Sequence, residues 1–141
     1  MCYVVHLSTT STEDLGRLSS RLVQYKTPSP QDQAITGLLL YPNKWYIGTL
    51  SGCSCTLRHV MAHGLGFGKP EDWFPEDEES IQATLALIRT VRRLRQEGHA
   101  TDCIDVWAGS TGEGILRLEV DLATLADEEF RLFENHHFLF D

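Results

Sequence analysis

The amino-acid sequence predicts an α+β fold: a ferredoxin-like sandwich in βαββα(α)ββ order, with a mainly antiparallel sheet and its helices on one face. Three stretches carry that reading: a β-rich start over 2–8, an apolar hairpin pattern over 35–50, and a broad-faced amphipathic run over 78–97 ahead of two more alternating stretches. After the first strand, Ser11-Thr12-Glu13-Asp14 offers caps and first-turn carboxylates ahead of Leu15, Leu18 and Leu22 at helical spacing. Pro28-Ser29-Pro30 ends that helix. Ile35 to Tyr41 then reads as a buried strand, Pro42-Asn43-Lys44 as a turn, and Trp45 to Leu50 as the returning strand.

Residues 54–63 are expected to form a short helix stopped by Gly64, and 64–78 a surface loop rich in glycine, proline and acid. In the long helix, Ile81, Leu85, Leu87, Ile88, Val91 and Leu94 cover a broad apolar face, arginines crowd the last turns, and Gly98 follows as a C-cap. Residues 103–107 and 115–120 alternate as strands across the turn 109–114. A final short helix over 126–135 leads into the aromatic tail Phe138-Leu139-Phe140. A single domain over 1–141 is expected, long enough to bury a core without disulfide staples.

Charge narrows the partners. With 20 Asp and Glu against 12 Lys and Arg the net charge is -8, which repels phosphate backbones and anionic lipid, so neither nucleic acid nor a membrane is an expected partner. The start Met1-Cys2-Tyr3-Val4-Val5-His6 lacks the basic residues and apolar run of a signal peptide, and a cytoplasmic location is expected. Its 4 cysteines are then reduced thiols, with Cys2 and Cys103 reading as small apolar residues in strands.

Chemistry concentrates in Ser51-Gly52-Cys53-Ser54-Cys55-Thr56-Leu57-Arg58-His59. On a helix over 54–63, Cys55, His59 and His63 would follow one another at four-residue steps along one face, opposite Leu57, Val60 and Met61. Such a stripe, with Cys53 just before it, suits zinc, whose usual ligands are thiolate and imidazole. The same helix N-terminus would also favour a thiolate at Cys53 or Cys55 with His59 as base, which makes these three the candidate catalytic residues. The third reading gives Cys53, Ser54 and Cys55 the job of small residues at a tight turn, and no cofactor is then expected.

Ala34 to Tyr41, followed by Trp45 to Gly52, resembles the central hairpin of flavin-binding blue-light sensor (BLUF) domains, and the element order resembles theirs as well. His6, Asp32 and Gly48 stand where that family has its flavin-contacting tyrosine, asparagine and glutamine, so the resemblance implies the fold and not the flavin. The stretch Trp45 to Cys55 also resembles a Gly-Cys-x-Cys segment of small bacterial proteins without assigned function.

Other signals are weaker. Gly64 to Lys69 misses the phosphate-loop spacing at His63 and Pro70, and Arg89, Arg92, Arg93 and Arg95 read as a solvated helix end. The apolar tail must dock on its own domain or on a partner, which makes a homodimer through the sheet or the tail an expected assembly. The function best matching these readings is a ligand-binding or interaction module without catalysis, with contacts from the Trp73-Phe74 loop and the tail. The alternative is the Cys/His site over 53–63, binding zinc or acting as a reactive thiol.

Overall fold

Seven residues, Tyr3–Thr9, form β1 inside a mixed, mostly antiparallel six-stranded sheet of an α+β fold. The computed structural model describes residues 3–50, 54–60 and 77–141. β1 pairs antiparallel with β3 (Asn43–Thr49) on one side and β5 (Thr101–Trp107) on the other. β2 (Val23–Lys26) lies outside β3, while β8 (His136–Phe140) and then β6 (Leu116–Val120) lie beyond β5. Only the β6–β8 pairing in this sheet is parallel. A second, two-stranded parallel sheet joins β4 (His59–Val60) to β7 (Leu132–Phe133).

The long helix, α2 (Glu78–Gln96), falls within a residue of the expected 78–97. Glu78 and Glu79 favour its positive end, Arg93 and Arg95 its negative end. Gly98 at φ 90 lets the chain leave through a Schellman turn, with Gly98 N–H on the Arg95 carbonyl and His99 N–H on that of Leu94. Leu87, Ile88, Val91 and Leu94 pack onto the sheet face that carries Val5, Leu7, Ile47, Cys103 and Phe138. The opposite face is covered by the second helix, α1 (Gln33–Thr36), and the residues after it, which pack Ile35 and Leu39 on Ile104 and Val106. Helices therefore lie on both faces, correcting the one-sided arrangement expected, and the observed order does not confirm a ferredoxin-like sandwich.

The expected helix after β1 is a four-residue 3-10 turn, Leu15–Leu18, followed by β2. Asp14 does cap, accepting from Gly16 N–H, but Ser19 and Ser20 divert the backbone: their hydroxyls accept from Tyr25, Leu22 and Val23 N–H. The strand expected over 35–41 is also not formed. As the first arm of a hairpin it would need an edge of β3, and β1 and β2 hold both. Its backbone is satisfied by side chains instead, Leu40 N–H on Asp102 Oδ2 at 2.9 Å and Tyr41 N–H on Ser8 Oγ at 3.2 Å.

Strands β5 and β6 flank the 109–114 turn as expected, yet they are not neighbours, because β8 lies between them. The helix expected over 126–135 is a 3-10 turn, Asp127–Glu129, leading into β7 and β8. Arg92 on α2 holds that stretch, binding the Leu122 and Leu125 carbonyls and the Asp127 carboxylate. Phe130, Phe133, Phe138 and Phe140 are buried in the main core, so the aromatic tail docks on its own domain. No described helix is long and apolar enough to cross a membrane.

Candidate functional site

The described part of the Cys/His segment is not helical. Ser54–Thr56 is a 3-10 turn and His59–Val60 is β4, which corrects the helix expected from residue 54 and with it the helical spacing of Cys55 and His59. Cys53, His63 and the Trp73-Phe74 loop lie outside the described residues. Among the described residues no cluster of three His, Cys, Asp or Glu side chains is placed to hold a metal ion.

The turn at 54–56 substitutes for a strand. The β1–β3 register is last met at Val5↔Ile47, after which β3 continues beside β2 alone, up to Val23↔Thr49. There the Ser54 hydroxyl fills the gap, donating to the Ile47 carbonyl at 2.5 Å and accepting Val5 N–H at 2.9 Å. One step on, Cys55 Sγ accepts Tyr3 N–H at 3.3 Å. Arg58, buried, reaches the Glu128 and Phe130 carbonyls, and its own N–H donates to Thr84 Oγ1. Ser54→Ala strands a buried donor and acceptor at once, and urea unfolding should show a loss of about 1–3 kcal/mol, against a smaller loss for Cys55→Ala.

Around this turn the sheet presents its most distinctive surface. Tyr3, the first residue of β1, and Trp107, the last of β5, are register partners whose rings stack at 4.2 Å and 23°. Both are half-buried. On the same face Asp105 is wholly buried opposite His136 in the β5–β8 register, and His136 Nδ1 lies 2.8 Å from the Glu134 carbonyl. Burial first, and then the negative charges of Glu134, Asp105 and Cys55, push the Tyr3 hydroxyl up to about 12. Cys103, by contrast, is a free, buried strand cysteine whose thiol is pushed well up by burial, as a packing residue should be.

The other sheet face holds a row of polar side chains that pattern reading missed. Asp102, wholly buried on β5, accepts from the Ser8 hydroxyl, from Leu40 N–H, and from His137 Nε2 at 2.6 Å. Two acids, Asp102 and Asp105, inside the otherwise apolar run of β5 were the available signal. Ser8 donates to Asp102 and not to a histidine, so the three do not form a nucleophilic triad. Their effect is to fasten residues 40 and 41 to the sheet.

His6 and Asp32, which the BLUF resemblance sets at flavin-contacting positions, do meet. His6 Nε2 lies 3.3 Å from Asp32 Oδ2. The third position, Gly48, lies on β3 opposite Gln24. The His6 ring also meets the Tyr46 ring edge-on at 5.5 Å. Burial lowers the His6 pKa from its ordinary 6.5, against an opposing pull from Asp32. The unfolded chain therefore binds the proton more readily, so stability is full above 6.5 and falls as pH drops from there toward the lowered folded-state value. Urea midpoints between pH 8 and about 5.5 should decline for wild type and stay flatter for His6→Gln.

Comparison with known protein families, curated proteins and solved structures finds no match to this chain.

Proposed function

We propose that this protein is a non-catalytic binding module that takes a cationic group, an amine or guanidinium, at the sheet end where Tyr3 stacks on Trp107. The observation that carries this reading is the half-buried aromatic pair with Asp105 and Glu134 around the Tyr3 hydroxyl. Aromatic faces attract cations, and nearby carboxylates add to that attraction where water is partly excluded. A net charge of -8 draws the same class of ligand from solution. The polar groups nearest the site are engaged in structure, Ser54 in bridging two strands and Cys55 in accepting a backbone N–H.

Tetramethylammonium and methylguanidinium, each titrated against a sodium chloride control, should move the Trp107 indole signal in a nitrogen-15 NMR spectrum saturably, in roughly the millimolar range. Trp107→Leu, checked for folding by circular dichroism, should abolish the remaining saturable shifts around Tyr3. A response no different from sodium chloride overturns the reading.

A second reading keeps Cys55 as a reactive thiol, favoured by the Tyr3 N–H directed at its sulfur, which would support a thiolate. Its zinc form needs Cys53, His59 and His63 to close on Cys55. Alkylation of Cys55 much faster than that of free cysteine at pH 7 supports the thiol form. A zinc-sized adduct in the native mass spectrum, lost in the Cys53→Ser, Cys55→Ser double variant, supports the zinc form.

A further inference from the structure

The two outer strands of the six-stranded sheet are finished differently. Outside β2, the preceding turn covers the edge: Ser20 N–H donates to the Val23 carbonyl, while the Ser20 and Ser19 hydroxyls accept from Val23 and Tyr25 N–H. Outside β6, among the described residues, no strand or turn does the same.

The hydrogen bonds to β8 fix which groups of β6 face outward. Leu116 N–H donates to the Asn135 carbonyl, and the Val120 carbonyl accepts from Asp141 N–H. In a parallel ladder alternate residues direct both backbone groups to the same neighbour, so Leu116, Leu118 and Val120 serve β8, and Arg117 and Glu119 present N–H and C=O to the open side. Both residues are exposed, Leu116 is 53% exposed, and among the described residues neither charge has an ion-pair partner.

This pattern is complementary to itself. If two copies of β6 meet antiparallel about Leu118, the outward residues fall opposite one another as hydrogen-bonded pairs, Arg117 facing Glu119 of the second copy and Glu119 facing its Arg117. Leu116 then faces Val120, so the exposed leucine gains an apolar neighbour. Such a contact is isologous, as a two-fold dimer requires. The geometry points to β6 as a self-association edge, joining two six-stranded sheets into one continuous sheet. Five residues a side make a small interface, so the dimer is weak and concentration-dependent.

Sedimentation equilibrium of the full chain, from about 10 μM to about 1 mM, should show monomer and dimer in exchange. By symmetry Arg117→Glu or Glu119→Arg alone puts two like-charge pairs in the interface and should weaken association roughly tenfold. The double charge swap, Arg117→Glu with Glu119→Arg, should restore it. Amide exchange at residues 117 and 119 should slow as concentration rises. A monomer throughout, association indifferent to the single swaps, failure of the double swap to restore it, or exchange at these amides independent of concentration overturns the inference.

Discussion

Asp102→Ala should lower stability by about 3–5 kcal/mol, the range for removing one partner from a buried charged or hydrogen-bonded pair. The carboxylate lost is wholly buried and accepts from three donors: the Ser8 hydroxyl, Leu40 N–H and His137 Nε2. Alanine leaves all three without that acceptor, and each donor stranded in the interior, as the Ser8 and His137 groups are, costs about 1–3 kcal/mol. For a chain of this size the melting temperature should drop by about 10 °C or more. Asp102→Asn keeps the volume but turns an amino group toward donors, so it should recover only part of the loss. Urea and thermal unfolding check this, and a loss below about 1 kcal/mol for the alanine variant would show that the network is not what fastens residues 40 and 41 to the sheet.

Phe138→Ala should cost a similar amount, about 3–5 kcal/mol, by a different mechanism. Its ring is wholly buried and lies against Phe130 at 5.9 Å, Phe133 at 6.0 Å and Phe140 at 6.4 Å, so truncation opens a cavity among rigid rings that cannot collapse into it. The effect should spread along β8, which holds β5 on one side and β6 on the other. Hydrogen exchange should therefore show the amides of β6 that bond to β8 losing protection more than those of β1. Equal loss everywhere would mean that the aromatic cluster supports the whole sheet and not this flank alone.

The legible parts of the fold were those written in local chemistry. Helix α2 declares itself through acids at its start, arginines at its end, a glycine exit and apolar spacing that agree with one another. The strands β1, β3, β5 and β6 also lie close to where alternation puts them. Partner choice is non-local, and there the pattern was silent: nothing in residues 103–120 says that β8 will part β5 from β6. The helical spacing of Leu15, Leu18 and Leu22 misled for a physical reason, because the Ser19 and Ser20 hydroxyls between them accept backbone N–H groups of the following stretch and turn it into a strand.

The residues of the candidate site were legible one by one, but not the contacts they make. In the Gly-Cys-Ser-Cys stretch, the backbone groups that Ser54 and Cys55 satisfy belong to Val5, Ile47 and Tyr3, far away in sequence. The Tyr3–Trp107 stack depends on the β1–β5 register, which no spacing within either strand encodes. Ser8, Asp102 and His137 come from three strands and meet only once the sheet is assembled.

The parallel placement of β6 also constrains how the protein emerges from synthesis. β6 is translated before β8, yet β8 is the strand that joins it to the rest of the sheet. Until residues 136–140 leave the ribosome, β6 has no neighbour among the described strands and β5 has an open flank. Assembly of that side must wait for the later strand, which then inserts between two segments already made. A nascent chain arrested before residue 136 should consequently be cut readily by protease around 116–120, and one extended past residue 141 by enough linker to clear the exit tunnel should resist.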